Sequence, residues 1–217
     1  MQEAVVVIEG EAQRVLELLG VFAFAISGAL MAVRKGFDIV GILALAWITA
    51  LGGGVMRDVL VDATPPTAFL DAWAFSLPVV AAVMTFFGHR VIERSLKAVL
   101  VFDALGLGLY TVVGTVTGAA FGLGIAQASA VGVITGVGGG LLRDIVAREV
   151  PVLVRPDAEL YAVPALTGAL ALAFAIASWG YTPVLGVSIA GVIIVFRLAA
   201  LAFGWRAPRA WRHSNSA

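Results

Sequence analysis

The chain has 217 residues, 61% of them hydrophobic and 13% charged, with a mean hydropathy of +1.02. Soluble domains run roughly 45–50% apolar and about 25% charged, so this excess requires a non-aqueous home. Basic and acidic residues balance at 14 each, which removes the positive footprint of a nucleic-acid binder. The lack of cysteine excludes disulfide scaffolds and thiolate sites, and two histidines without ligand spacing argue against a zinc enzyme.

In chain order, the segment ahead of residue 15 carries Glu3, Glu9 and Glu11 and has no basic region before an apolar run. It does not read as a cleaved signal peptide. A helix needs about 20 mostly apolar residues to cross a membrane core of roughly 30 Å. Windows of that kind lie at Leu16–Val33, Ile39–Leu60, Ala72–Val91, Ala98–Gly118, Leu123–Val146, Leu160–Gly180 and Val184–Phe203. The breaks between them are short: Arg34-Lys35-Gly36, the stretch Asp62–Asp71 with Pro65-Pro66, and Arg94–Lys97. No ten-residue alternation of apolar and polar residues suggests a β-barrel. The expected fold is an all-α integral membrane protein of seven transmembrane helices in one domain spanning residues 1–217.

Basic residues orient it. Arg34, Lys35, Arg90, Arg94, Lys97, Arg148, Arg155, Arg206, Arg209 and Arg212 all fall on one side, against Arg14 alone on the other. The positive-inside rule then puts the N-terminus outside and the C-terminus in the cytoplasm.

The two halves answer one another at an offset of 86, as Gly52 plus 86 gives Gly138. Gly52-Gly53-Gly54 maps to Gly138-Gly139-Gly140, Arg57-Asp58 to Arg143-Asp144, Pro65 to Pro151 and Pro78 to Pro164. Leu19-Gly20 maps to Leu105-Gly106, and acidic Glu17 meets acidic Asp103. Each copy holds three spans, an odd number, so the second enters the membrane from the opposite side. This divides the chain into repeat one (residues 15–93), repeat two (98–180), helix seven (184–203) and a cytoplasmic tail (204–217).

Three consecutive glycines weaken a helix by about 1 kcal/mol each relative to alanine. Two readings stay open. Small residues let helices approach closely in a bilayer. Alternatively Gly52, Gly53, Gly54, Gly138, Gly139 and Gly140 break their helices and turn freed carbonyls toward a watered, cation-favouring path. In the second case Asp58 and Asp144 fall in the first turn of a second half-helix, where the dipole favours an anion. Arg57, Asp58, Arg143 and Asp144 are then charged pore or gating residues, with snorkelling of the arginines as the plainer alternative. Similar depths along the spans pair Glu17 with Arg57 and Asp103 with Arg143, since unpaired charges there are expensive.

Other features carry less. His89 and His213 lie beside a loop and in the tail and read as solvated. Trp73, Trp179, Trp205 and Trp211 sit at span ends like an interfacial belt. Gly114 and Gly118 read as helix packing, within or between protomers, and Arg197 as a snorkelling arginine.

FAISGAL at Phe24–Leu30, GGGVMRD at Gly52–Asp58, DALGLGLYTVVG at Asp103–Gly114 and GVGGGLLRD at Gly136–Asp144 together resemble the prokaryotic trimeric intracellular cation channels, also labelled a predicted glycine-transporter domain. The resemblance covers about residues 15–203. It implies two inverted three-helix repeats plus a seventh helix, a homotrimer, and one pathway per protomer for K+ and Na+. The second triplet reads Gly-Gly-Gly where animal members carry a Lys-Glu-Val motif tied to phosphoinositides. The resemblance therefore points to a bacterial inner-membrane protein and does not carry over headgroup regulation.

The expected function is a monovalent cation channel with one pore per protomer, passing between glycine-broken helices 2 and 5, with a secondary transporter or exporter of a small solute such as glycine as the alternative. No cofactor and no nucleic acid are expected; the partners are permeant cations, membrane lipids and further copies of the chain. No Ser/His, His/Glu or Cys constellation supports an enzyme.

Overall fold

The structure is a computed structural model that describes residues 10–88, 96–155 and 159–207. Every apolar window folds into an α-helix: α1 Glu11–Arg34, α2 Ile39–Leu60, α3 Ala72–Gly88, α4 Leu96–Ala120, α5 Ile125–Val146, α6 Ala162–Trp179 and α7 Pro183–Phe203. Among the described residues six are long and apolar enough to cross a membrane, and α3 is described over 17 residues, as far as Gly88. A 3-10 turn, Thr67–Phe69, lies in the α2–α3 connection. Local chemistry sets several ends. Asp38 caps α2 by accepting from the Gly41 N–H at 2.8 Å, and Thr182 caps α7, where Pro183 occupies the first turn.

The offset of 86 reappears in the backbone. Gly36 and Gly122 turn the chain with φ of 74° and 77°, a left-handed conformation that glycine adopts without a Cβ clash. Asp62 and Arg148, also equivalent, take φ of 59° and 55° just past the ends of α2 and α5. The loop bonds match as well: Phe37 N–H donates to the Ala32 carbonyl and Leu123 N–H to the Gly118 carbonyl.

Contacts between equivalent helices run in opposite order. A Cβ on Gly20 of α1 would run into Tyr110 of α4, whereas one on Gly106 of α4 would run into Phe24 of α1. Likewise Gly53 of α2 abuts the Thr135 carbonyl of α5, and Gly139 of α5 abuts the Thr49 carbonyl of α2. Both pairs are antiparallel, the relation inverted copies require.

The expected helix break is absent: α2 and α5 are each one uninterrupted α-helix through their triplets. The reason is packing. The glycines lie where α2 and α5 cross, so closely that a Cβ on Gly138 would stand 3.1 Å from the Gly53 Cα. Close approach of two backbones supplies the dispersion contacts that poor helix propensity lacks. Gly114 and Gly118 do the same inside the protomer, against Thr135 and Ala128 of α5.

Candidate functional site: two opposed charge clusters

The last turn of α2 delivers Arg57 and Asp58 to one end of the molecule. The Arg57 side chain is 3% exposed and fully engaged. Its Nε donates to Asp58 Oδ1 at 2.7 Å, its Nη1 lies 2.9 Å from Glu17 Oε1 on α1, and its Nη2 donates to Thr67 Oγ1 at 3.0 Å. Asp58 Oδ2 in turn accepts from the Thr67 N–H at 2.7 Å and the Thr67 hydroxyl at 2.8 Å.

Arg143 and Asp144 stand at the equivalent place on α5, at the opposite end of the antiparallel pair. Arg143 Nε and Nη2 donate to Asp144 Oδ1 at 2.9 and 2.8 Å. Its Nη1 donates to Asp103 Oδ1 of α4 and to the Ser27 hydroxyl oxygen of α1, each at 2.7 Å. The Ser27 hydroxyl passes its own hydrogen to the Val99 carbonyl, and Asp144 Oδ2 accepts from Val152 N–H at 2.9 Å. Both arginines thus meet the carboxylates that depth along the spans assigned to them.

The aspartates do something other than expected. Because neither helix breaks, Asp58 and Asp144 lie in last turns, where the dipole disfavours a carboxylate. The neighbouring guanidinium and the loop donors at Thr67 and Val152 offset this, so each Asp ties its helix end to the connection that follows. Replacing Thr67 by Val removes two of these hydrogen bonds and keeps the backbone one. The expected loss is about 1–3 kcal/mol, read as a lower thermal midpoint in detergent without a change in helix content.

Each cluster floors a cavity. One of about 700 Å³ is lined by Arg14, Glu17, Arg57, Asp58, Thr67 and Asp71, with an Arg14–Asp71 bridge of 3.1 Å at its rim. The other, of about 270 Å³, is lined by Arg34, Leu100, Arg143, Asp144, Glu149 and Arg155. Across this second mouth Lys35 Nζ holds Glu149 Oε1 at 2.7 Å. The hydrogen-bonded Lys35 ammonium keeps the Glu149 carboxyl below its usual range. That contribution to stability is present above the ordinary Glu pKa and fades as pH falls through the lowered one.

Between the cavities the interior is closely packed. Phe24 and Tyr110, which the 86 offset makes equivalent, meet edge to face with centroids 5.3 Å apart. The Tyr110 hydroxyl donates to the Ala50 carbonyl at 2.9 Å. Thr49, Thr115 and Thr135 are fully buried and return their hydroxyl hydrogens to carbonyls four residues earlier on their own helices.

Several participants escaped sequence reading. Thr67 lies in a loop with no pattern of its own, and Ser27 has no polar mate at offset 86. Tyr110 was findable, since its mate is aromatic Phe24. Arg197 does not snorkel: it is wholly buried, donates to the Glu159 and Leu160 carbonyls at 3.2 and 2.8 Å, and lies 5.0 Å over the Tyr161 ring. Trp73, Trp179 and Trp205 are exposed as an interfacial belt would be, while Trp211, His89 and His213 lie outside the described residues. Among the described residues no group of three or more His, Cys, Asp or Glu could hold a metal ion.

A family model described as glycine transporter matches residues 14–90 and 100–177, two segments whose starts are 100 − 14 = 86 positions apart. A UPF0126 membrane protein of Deinococcus radiodurans is 42% identical over 157 residues, 71% of this chain and 72% of that one. The UPF0126 inner membrane protein YadS of Escherichia coli K12 is 34% identical over 191 residues, covering 88% of this chain and 91% of YadS. A solved TRIC trimeric intracellular cation channel orthologue from Rhodobacter sphaeroides has a TM-score of 0.82 at 33% identity, over 90% of this chain and 100% of that one. With seven helices, the doubled match and this fold in common, the chain belongs to the membrane-protein family described as glycine transporter, that of the TRIC cation channels.

Proposed function

We propose that this protein is a monovalent cation channel for K+ and Na+, a homotrimer with one path through each protomer. The observation that carries the proposal is the pair of opposed cavities, each ending at an equivalent arginine framed by carboxylates, with the packed Phe24–Tyr110 pair between them. Residues 15–93 and 98–180 form the inverted halves, helix 184–203 completes the bundle, and residues 204–217 are assigned to the cytoplasmic side. The setting is a bacterial inner membrane with the N-terminus periplasmic, as the basic loop residues require. Cations enter past Glu17 and Asp58 and leave past Asp103 and Asp144. Gly52, Gly53, Gly54, Gly138, Gly139 and Gly140 line the crossing of α2 and α5 as close-packing residues, so opening separates two intact helices.

In this reading the arginines restrain the flow by local positive charge. Purified protein in a planar bilayer should give unitary K+ currents with no added substrate. Arg57→Gln should raise the single-channel conductance about threefold, the effect of one unit charge roughly 7 Å from a permeant ion in water. The family's description favours a second reading, a transporter of a small solute such as glycine. Saturable glycine flux into liposomes without conductance would establish that reading and overturn the channel.

A further inference from the structure

The cluster at Arg143 has a third side. Asp103 Oδ1 also accepts from the Tyr161 hydroxyl at 3.3 Å, and the face of that ring carries Arg197 of α7. Gly140 makes the room, since a Cβ there would run into the Tyr161 hydroxyl and Asp103. Arg143, Arg197, Asp103 and Asp144 sum to zero charge, and all four are at most 2% exposed. The hydrogen bonding is nevertheless incomplete: Asp103 Oδ2 has no partner, and neither have Arg197 Nε and Nη2. A buried carboxylate oxygen and two buried guanidinium donors left unmet on either side of one tyrosine are a strong mutual attraction held apart.

We propose that Asp103 is a two-position switch. It pairs with Arg143 in the closed arrangement seen here and with Arg197 when this end of the path opens, and Tyr161 is the pivot between the two. The exchange conserves paired charge, because Asp144 remains bonded to Arg143 throughout. It also gives α7, which stands outside the repeat, control over one end of the molecule and not the other. This regulation rests on the channel reading above.

The chain contains no cysteine, so Ser27→Cys, buried behind Arg143, reports opening through its rate of reaction with a membrane-impermeant thiol reagent on liposome-reconstituted protein. In that background Tyr161→Phe removes the bond that helps hold Asp103 in the closed position. Labelling should accelerate about fivefold, the factor expected for one hydrogen bond. Arg197→Gln removes the alternative partner, and labelling should slow by a similar factor. A merely structural cluster would loosen in both variants and accelerate both; that result, or no change in either, overturns the switch. If Arg197→Gln loses its fold by light scattering, Arg197→Lys decides instead. It keeps the charge without a bidentate fork, and a labelling rate at or above the parent's overturns the proposal. Absence of unitary currents in the parent protein would defeat the channel reading alone, since labelling needs no conduction.

Discussion

Gly53→Ala should lower the thermal midpoint of the detergent-solubilised protein by about 4–10 °C, while Gly54→Ala, one residue on, should leave it unchanged or raise it by about 2–4 °C. The two glycines share one helix and one sequence motif, so propensity alone predicts the same gain of about 1 kcal/mol for both. Packing separates them. The Cβ added at Gly53 meets the carbonyl of Thr135, and a backbone carbonyl cannot rotate away, so α2 and α5 must part. The Cβ added at Gly54 finds Tyr110 Cε1 at 3.8 Å and its hydroxyl at 3.9 Å, ordinary contact distances.

The repeat extends the argument and then limits it. Gly139→Ala should behave like Gly53→Ala, because Gly139 abuts the Thr49 carbonyl in the same way. Gly140→Ala should not behave like Gly54→Ala, because Tyr161 and Asp103 fill the space that is open at Gly54. Equal tolerance at all four positions, measured by thermal melts with fluorescence-detected size exclusion, would overturn the close-packing account of the triplets.

These glycines also mark where sequence reading succeeds and fails. The limits of α2 are legible residue for residue, because the apolar window Ile39–Leu60 lies between the short breaks at Arg34-Lys35-Gly36 and Asp62–Asp71. The ion pairs at Arg57 and Arg143 are legible because charge is so costly at depth that a partner at the same level is nearly obligatory. The break is misread because propensity is a local quantity. What keeps α2 continuous is the backbone of α5, more than 80 positions away, and no local window contains it. With the break goes the half-helix whose favourable end would have held Asp58 and Asp144. Arg197 was misread for a related reason. A lone arginine near a span end is ordinarily free to reach the interface, and only the fold brings the Glu159–Tyr161 segment up to enclose it.

Unequal burial of their partners separates the two arginines of the repeat, and Arg143→Ala is expected to be far more damaging than Arg57→Ala. Arg143 is 1% exposed and its partners Asp103 and Asp144 are 0% and 2% exposed. Truncating it strands two buried carboxylates, a loss of about 3–5 kcal/mol or more. The expected outcome is failure to recover folded protein. Arg57 is equally buried, but Glu17 is 27% exposed and lines the larger cavity, where water can solvate it. Asp58 keeps both of its bonds from Thr67. Arg57→Ala should therefore lose about 1–2 kcal/mol and remain folded. Neutralising the remaining charges tests the cause. If stranded carboxylates are what destabilise Arg143→Ala, adding Asp103→Asn should recover part of the lost stability, because an amide tolerates burial far better than a carboxylate. If the double variant is worse than the single one, the damage comes from lost packing around Arg143 and the charge argument fails. The comparison also determines where gating can be examined: Arg57 can be varied in a protein that still folds, so a change in current there reports on the path, whereas at Arg143 it reports first on the fold.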